Sequence, residues 1–478
     1  MKDAIARACF GVFLQASPLQ GTWSGTVRYA DGDLPLNERV YQRIRWLVLS
    51  GAWSRGMRLP PSRVLAAQMA VSRNTVLNAM DRIVADGWVR GRKGSGTYVT
   101  YDGPRVAPPA KPGHAVSRAP ALIPCARPID LFPSALWNRL QSRRRKQISS
   151  AALVQPGALG WPPLREAIAA HVILSRGIEC GPDDIIVTTS TQAAIDLAIR
   201  ALDLLGAEAW VEDPGYTAAV QYFRNCGMRL VPVSVDKSGM DVACGVATAP
   251  QAKLAIVTPA CQFPTCAIMT EDRRAALLAW ASAQDAWIVE DNFDWQSTDW
   301  RRVAKREIAA DRLRTIYVDS FNPVLFPALG IAFAVCPLSL RDRFLEMQVA
   351  MDEYPSLPNQ MILADFLNGG HLDDHLRRLS SAYPERRDAL ISRLEKDVPG
   401  IVAPQKKDCG THVVASLRVH HAQQFAELCM REGIVARGMD IFHQTPRQTR
   451  DVVFGCAGFR PAAIASAVTA MARAVENG

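Results

Sequence analysis

The 478-residue chain contains no run of eighteen consecutive apolar residues, so the sequence predicts no membrane-spanning helix. Its 11 cysteines form no C-x-x-C pair and lie scattered through a chain whose core needs no disulfide, which favours reduced thiols in a cytoplasmic protein. The apolar stretch at residues 8–16 follows Asp3 and Arg7 and contains Gln15, so it makes a poor signal peptide. Hydrophobic residues make up 49% of the chain and charged residues 21%, a globular profile that excludes disordered and fibrous proteins.

Positive charge is concentrated near the N-terminus. The formal net charge is +9, and residues 27–100 carry eleven Arg and one Lys against five acids, a local excess of +7. Because phosphate neutralisation supplies most non-specific affinity for nucleic acids, this asymmetry favours a polyanionic partner for that segment.

The sequence pattern divides the chain into four segments. Residues 1–33 are an N-terminal extension, and residues 34–100 are a first compact unit. Residues 101–130 are predicted to be an extended linker, because residues 101–133 hold eight prolines and little apolar periodicity. From residue 131 to residue 478, short apolar strands alternate with amphipathic helices. That alternation predicts an α/β domain with a mostly parallel sheet and a smaller C-terminal α/β lobe.

The first compact unit has the pattern of a winged helix-turn-helix, an α+β fold. An amphipathic helix over residues 40–50 is followed by two shorter ones, for which Ser62 and Ser72 are candidate N-caps. In a helix-turn-helix the second helix enters the major groove with its N-terminal residues leading, and here those are Ser72, Arg73, Asn74 and Thr75. Two β-prone pieces then flank a basic, glycine-rich turn that describes a wing, made of Arg92, Lys93, Gly94, Ser95 and Gly96.

The stretch from residue 59 to residue 99 closely resembles the winged helix-turn-helix of GntR-type bacterial transcription regulators. It reads LPPSRVLAAQMAVSRNTVLNAMDRIVADGWVRGRKGSGTYV. The resemblance implies that the partner is double-stranded DNA. It also implies a set of DNA-facing residues, Arg63, Ser72, Arg73, Thr75 and Gly96, which the neighbouring Asn74, Arg92, Lys93, Gly94 and Ser95 complete.

The larger unit is similar to the fold-type I aminotransferase domain that is fused to GntR heads in the MocR subfamily. The segments that carry this resemblance lie in the family's order, among them WVEDPGY at 210–216, VEDNFDW at 289–295 and YVDSFNPVLFPALGIAF at 317–333. The resemblance implies an aminotransferase-like fold, a pocket related to that for pyridoxal phosphate, and a homodimer.

This chain departs from the family pattern at the residues that would hold the cofactor. In the family, a block reading roughly S-F-S-K-x-L-F-P-x-L-R-x-G supplies the Schiff-base lysine and an arginine for the cofactor phosphate. The corresponding block here is SFNPVLFPALG, so Pro323 stands at the lysine position and Gly330 at the arginine position. Ser190 replaces a glycine before the phosphate-facing helix start at Thr191, and Phe293 replaces a tyrosine.

Of the other positions in this unit, two keep the family's residue and three differ from it. Asp291 and Tyr216 are retained where the family places an acid against the pyridine nitrogen and an aromatic ring near the cofactor. Cys261 and Cys266 stand where the family commonly has histidine and glycine, and Val453 aligns with a substrate-carboxylate arginine.

We therefore expect a DNA-binding regulator whose aminotransferase-like domain is non-catalytic and lacks covalent pyridoxal phosphate. No other cofactor, metal or membrane partner is expected. Two alternatives stay open: non-covalent binding of pyridoxal phosphate or another small-molecule effector, and retained aminotransferase activity, which the absent lysine disfavours. The sequence also leaves open a redox role for Cys261 and Cys266.

Overall fold

The computed structural model describes residues 35–104, 120–147, 157–292, 313–407, 410–418, 421–445 and 447–476. The predicted extension, residues 1–33, and Phe293 lie outside the described residues. The chain divides into two compact units, Met1–Ser117 and Arg118–Gly478. Within the described ranges, no helix is long and apolar enough to cross a membrane.

The first unit is the winged helix-turn-helix that the sequence predicts. Its elements are α1 Leu36–Leu49, α2 Ser62–Met69, α3 Arg73–Ala85, β1 Val89–Arg92 and β2 Gly96–Val99. Apolar side chains three or four residues apart face inward from the helices and form one core that includes Ile44, Val76 and Ile83.

Of the two predicted N-caps, Ser72 is confirmed and Ser62 is wrong. The Ser72 side chain accepts a hydrogen bond from the Thr75 N–H at 3.1 Å and caps α3 as predicted. Ser62 does not cap α2, because it is the first helical residue and Pro61 occupies the cap position. The Ser62 hydroxyl instead accepts a hydrogen bond from Arg73 Nε at 3.3 Å.

The wing is an antiparallel hairpin in which Arg92 lies opposite Gly96. Gly94 and Gly96 have φ angles of +73° and +114°, in the left-handed region where other residues are strained. A Cβ at Gly96 would also lie 2.7 Å from Nε of Arg58. The backbone conformation therefore favours glycine at position 96, whereas the exposed, flexible Arg58 side chain could move away from a Cβ there.

The second unit is built on an eight-stranded mixed sheet. Its strands in chain order are β3 Ile185–Thr188, β4 Glu208–Asp213, β5 Arg229–Asp236, β6 Gly239–Met240, β7 Leu254–Val257, β8 Trp287–Asp291, β9 Thr315–Ser320 and β10 Ala332–Val335. In space the order is β3-β10-β9-β8-β7-β4-β5-β6. The five strands β5, β4, β7, β8 and β9 run parallel, and β10 is antiparallel to both of its neighbours. The carboxyl ends of β4, β8 and β9 consequently meet at one edge of the sheet, where ligands bind in such folds.

Helices cover both faces of this sheet. Those described in the second unit are α4 Ser134–Arg145, α5 Pro162–Arg176, α6 Thr191–Ala201, α7 Thr217–Asn225, α8 Val242–Thr248, α9 Glu271–Ala283, α10 Arg341–Met351, α11 Leu357–Asn368, α12 His371–Asp397, α13 Ala422–Arg431 and α14 Pro461–Glu476. Successive residues of β3 point to opposite layers: Val187 packs in the same cluster as Phe366 of α11, and Ile186 packs with Ile195 of α6.

A smaller lobe follows the large sheet. Its antiparallel strands are β11 Val402–Pro404, β12 His412–Leu417, β13 Arg437–Gly438 and β14 Asp451–Gly455, in the order β11-β12-β14-β13. Phe425 of α13, Phe454 of β14 and Ile464 of α14 lie in its core. The aminotransferase-like architecture with a C-terminal α/β lobe is thus as predicted.

The segment that begins at residue 120 belongs to this lobe, although the sequence analysis assigned residues 101–130 to a linker. Leu122 is fully buried in the core of the lobe, and its carbonyl accepts a hydrogen bond from the Gly455 N–H at 2.7 Å. A Cβ at Gly455 would lie 1.8 Å from the Ile123 carbonyl oxygen, so only glycine permits this approach. Three prolines predicted an extended backbone here but gave no indication that it packs into a groove.

Leu122→Ala should lower the free energy of unfolding of the second unit by about 2–4 kcal/mol, because it opens a cavity in the lobe core. Ile129→Ala is the matched control, since Ile129 is 52% exposed and lies in the same segment. Urea denaturation of the full chain measures both variants. Equal, small losses for the two would mean that the segment does not hold the lobe together.

Candidate functional site

The predicted DNA-facing residues lie on exposed parts of the first unit. Ser72, Arg73 and Asn74 are exposed at the start of α3, and Thr75 is half-buried. The hydrogen bond from Arg73 to Ser62 joins the starts of α2 and α3, so Arg63 at the second position of α2 lies near this end. The first turn of α3 thus presents a guanidinium, an amide and hydroxyls in the order suited to base edges and phosphates.

The predicted wing residues, from Arg92 to Gly96, are exposed as well. The Arg92 guanidinium lies over the Tyr98 ring at 5.0 Å, and the Ser95 and Tyr98 hydroxyls are 2.8 Å apart. Arg58, which packs beneath Gly96, is an exposed cation beside the wing that the sequence analysis did not identify. Its only sequence signal is its position directly before the LPP turn.

Two acidic side chains of the first unit, Glu38 and Asp86, bind partners within that unit. The Glu38 carboxylate pairs with Arg82, and this hydrogen bond lowers the pKa of Glu38. Tyr41 donates to Asp86 at 2.5 Å. These acids therefore do not neutralise the cations at the start of α3 and on the wing.

A second group of predicted residues meets at the carboxyl edge of the large sheet, where β8 ends at Asp291. Its Oδ1 is buried, and no donor among the described residues lies within hydrogen-bonding distance of that atom. Burial, together with the nearby charges of Asp319 and Glu212, raises the pKa of Asp291 from 3.8 to about 7. A buried carboxylate oxygen that has no donor is costly, which makes the Oδ1 of this half-buried residue a candidate contact for a ligand group.

Tyr216, directly before α7, lines the apolar side of this site. It packs against a cluster that includes Phe263, Phe442 and Val453, and its ring centroid lies 6.3 Å from that of Phe263 in an edge-to-face arrangement. Burial raises the pKa of Tyr216 to about 12, so its phenol is neutral at physiological pH. Val453, which the sequence analysis aligns with a carboxylate-binding arginine of the family, is fully buried in the same cluster.

The loop between β9 and β10 holds Pro323, and a neighbouring asparagine fixes its shape. Asn322 Oδ1 accepts from the Ile331 N–H at 3.0 Å, and Asn322 Nδ2 donates to the Thr189 carbonyl at 3.3 Å. Pro323 itself is buried, and the carbonyl of the next residue, Val324, receives a hydrogen bond from buried His375 at 2.7 Å. The loop is therefore anchored on both sides of a residue that has no amine.

The start of α6, where the sequence analysis expects the cofactor phosphate, also lacks the features of a phosphate site. The Ser190 hydroxyl accepts from the Ala193 N–H at 3.1 Å and caps the helix, so that N–H is not free for an anion. Thr191 begins the helix as predicted. The Thr189 hydroxyl donates to the carboxylate of Glu353 at 2.6 Å, which brings a negative charge to this end. At Gly330, which the sequence analysis aligns with the family's arginine, a Cβ would meet no atom of the described residues within 4 Å.

A buried polar network that the sequence analysis missed supports the ends of β8 and β9. The Tyr317 hydroxyl accepts from Arg176 Nε at 2.8 Å and from Asn292 Nδ2 at 2.6 Å, and donates to Asp319 at 2.9 Å. All three partners are buried, so these bonds satisfy groups that would otherwise be costly. Since Arg176 lies more than a hundred residues before Tyr317, no local pattern identifies the network.

Cys261 and Cys266 lie together in a small buried cluster. Cys266 has a φ angle of +56°, which fits the glycine that the family has there. Its Sγ lies 3.3 Å from Nε2 of His412, and that nitrogen is 2.8 Å from the Pro264 carbonyl oxygen. The short distance to the carbonyl places the proton on Nε2.

Comparison with protein families gives two matches that together cover most of the chain. The model of bacterial regulatory proteins of the gntR family matches residues 36–99, and that of class I and II aminotransferases matches residues 139–471. Among solved structures, an archaeal alanine:glyoxylate aminotransferase superposes with a TM-score of 0.66 at 23% identity, over 75% of this chain and 91% of that one. The similarity to this solved structure establishes the fold of the larger unit.

Curated relatives match both units at once. The probable rhizopine catabolism regulatory protein MocR of Rhizobium meliloti is 32% identical over 456 residues, covering 90% of this chain and 92% of that protein. The HTH-type transcriptional regulator TauR of Rhodobacter capsulatus is 27% identical and covers 93% of this chain and 97% of that protein. The chain therefore belongs to the MocR type of GntR-family bacterial transcription regulators, DNA-binding proteins with an aminotransferase-like domain.

Proposed function

We propose that this transcription regulator acts in the bacterial cytoplasm as a homodimer, with an aminotransferase-like domain that holds no covalent pyridoxal phosphate and catalyses no transamination. The observation that carries the proposal is the buried, anchored Pro323 at the position of the Schiff-base lysine. Without an amine at that place, the aldehyde of the cofactor has no nucleophile to form the covalent link that transamination needs.

The residues at the place where a cofactor phosphate would lie support the same conclusion. A phosphate dianion taken out of water needs cations and free N–H groups, or its desolvation is costly. At this end the described residues offer Gly330, a serine-capped helix start and the carboxylate of Glu353. These groups do not fit pyridoxal phosphate, although Asp291 alone would fit its ring nitrogen.

In this proposal the first unit binds DNA and the second unit forms the dimer. The winged helix-turn-helix reads the operator through the first turn of α3, and a dimer of the larger unit presents two heads to paired half-sites. An effector that fills the pocket changes DNA affinity only if it binds the two DNA-binding states differently. Asp291 favours such an effector over a purely structural domain, because its buried Oδ1 has no donor among the described residues.

Arg73→Ala should weaken operator binding by about 1–3 kcal/mol, because it removes a predicted base contact at the leading end of α3. Arg82→Ala is the matched control, since it removes the same charge from the last turn of that helix, where Arg82 pairs with Glu38. Fluorescence anisotropy with operator DNA measures both. Equal affinity of Arg73→Ala and the unaltered protein would remove Arg73 from the contact set.

Titration of the purified protein with pyridoxal phosphate should give no aldimine absorbance band. Borohydride treatment followed by mass spectrometry should then find no adduct, because position 323 offers no amine. An active aminotransferase treated in parallel shows that the trapping works. An adduct on one specific lysine would contradict the proposal and identify a relocated amine.

Asp291→Asn should change how stability depends on pH. When the pKa of a carboxyl is raised in the folded state, the free energy of unfolding falls as the pH rises from 3.8 through about 7. Asparagine, which does not ionise, removes this loss. We expect the variant to gain roughly 1–3 kcal/mol relative to the unaltered protein between about pH 5 and about pH 8.

Thermal unfolding at the two pH values measures this difference. Asp272→Asn is the control, because Asp272 is exposed in the first turn of α9. Parallel pH curves for Asp291→Asn and the unaltered protein would show that the carboxyl is not protonated in the folded state.

A further inference from the structure

The outward face of α3 extends beyond the residues of its first turn. The core of the first unit takes Val76, Ala79 and Ile83 from this helix. Because residues three or four apart share a helix face, the side of α3 opposite these three is turned outward. In its first two turns that side exposes Arg73, Asn74, Leu77 and Asn78.

Contacts at the two edges of this outward face show which part of it is uncovered. At one edge Arg73 donates to Ser62 at the start of α2. At the other edge Arg82 pairs with Glu38 of α1, and its guanidinium lies over the ring of Tyr41 at 4.2 Å. By the helical spacing, positions 77 and 78 lie between these edges, and both are exposed.

Leu77 is a large apolar side chain in this exposed stretch. It is 39% exposed, although apolar spacing alone would place it in the core with its neighbour Val76. It lies one turn, about 6 Å, beyond Arg73 along the helix axis. The 5-methyl group of thymine is the apolar group that base edges present in the major groove, and removing both groups from water together is favourable.

Asn78 places an amide directly beside this leucine. Its side chain offers one acceptor oxygen and an NH₂ donor, which match the amino group and N7 of adenine. A guanidinium at the same place would instead match guanine. Since adenine pairs with thymine, Leu77 and Asn78 favour the same kind of base pair.

We propose that Leu77 packs against the 5-methyl group of a thymine and that Asn78 hydrogen-bonds to an adenine, so that the second turn of α3 selects A·T pairs in the major groove. The inference rests on the proposed reading of the operator by the first turn of α3 and names the bases that the second turn recognises. Asp81 ends this stretch, because its exposed carboxylate is repelled by the DNA phosphates.

Duplexes with modified bases test the leucine contact one methyl group at a time. The full chain first selects its strongest site from a random-sequence duplex library, and each thymine of one half-site is then replaced by deoxyuridine, which lacks only the 5-methyl group. Fluorescence anisotropy should find a thymine whose replacement weakens binding of the unaltered protein about fourfold, the effect of one buried methyl group.

Variants assign this preference to Leu77. Leu77→Ala should bind the thymine and deoxyuridine duplexes equally, because the side chain that contacts the methyl group is gone. Val84→Ala is the matched control and should keep the preference, since Val84 is 44% exposed but lies in the last turn of α3. Circular dichroism of each variant confirms that it is folded.

A second modified base tests Asn78. 7-Deazaadenine lacks the N7 acceptor of adenine and keeps its pairing with thymine. Placed at the contacted adenine, it should weaken binding of the unaltered protein about fivefold and leave the affinity of Asn78→Ala unchanged.

Two results would overturn the thymine contact: equal affinity of the unaltered protein for every deoxyuridine duplex, or a preference that survives in Leu77→Ala. Sensitivity of Asn78→Ala to 7-deazaadenine equal to that of the unaltered protein would overturn the adenine contact. If Arg73→Ala still weakens binding in these cases, the proposed function stands and only the second turn loses its role. Full affinity in Arg73→Ala would instead defeat the proposed reading by the first turn.

Discussion

The side chain of Asn322 is the contact on which the altered site depends. Its amide bridges two loops that approach from different strands, because it accepts from the Ile331 N–H and donates to the Thr189 carbonyl. A serine at this position, as in the family pattern, is too short to reach both groups. The asparagine thus satisfies two backbone groups of these loops, next to the position, 323, that the family pattern gives to a lysine.

Behind that loop, the polar network around Tyr317 ties the ends of β8 and β9 together. Its hydroxyl makes three hydrogen bonds, to Arg176, Asn292 and Asp319, which uses both its lone pairs and its proton. These hydrogen bonds join β9 to α5 and to the end of β8. Oδ1 of Asp291, one residue before Asn292, has no hydrogen-bond donor among the described residues.

Much of this arrangement is readable from the sequence. The helix-turn-helix follows from apolar spacing and the Ser72 cap, and the α/β domain follows from alternating strands and helices. Pro323 and Gly330 are identified by their neighbours in a recognisable block. The sequence does not reveal contacts between distant segments: the burial of Leu122 under β14, the pairing of Arg176 with Tyr317, or the bond between Thr189 and Glu353. Each depends on residues brought together only by the fold, and none changes the local pattern around it.

The left-handed backbone at Gly330 bears on the evolutionary history of the site. With a φ angle of +64°, an arginine at this position would cost roughly 1 kcal/mol in backbone strain before it met any phosphate. Even then, the Ser190 hydroxyl would still accept the Ala193 N–H at the start of α6. Under the proposed function, a single substitution at position 330 would therefore not create a phosphate site in this chain.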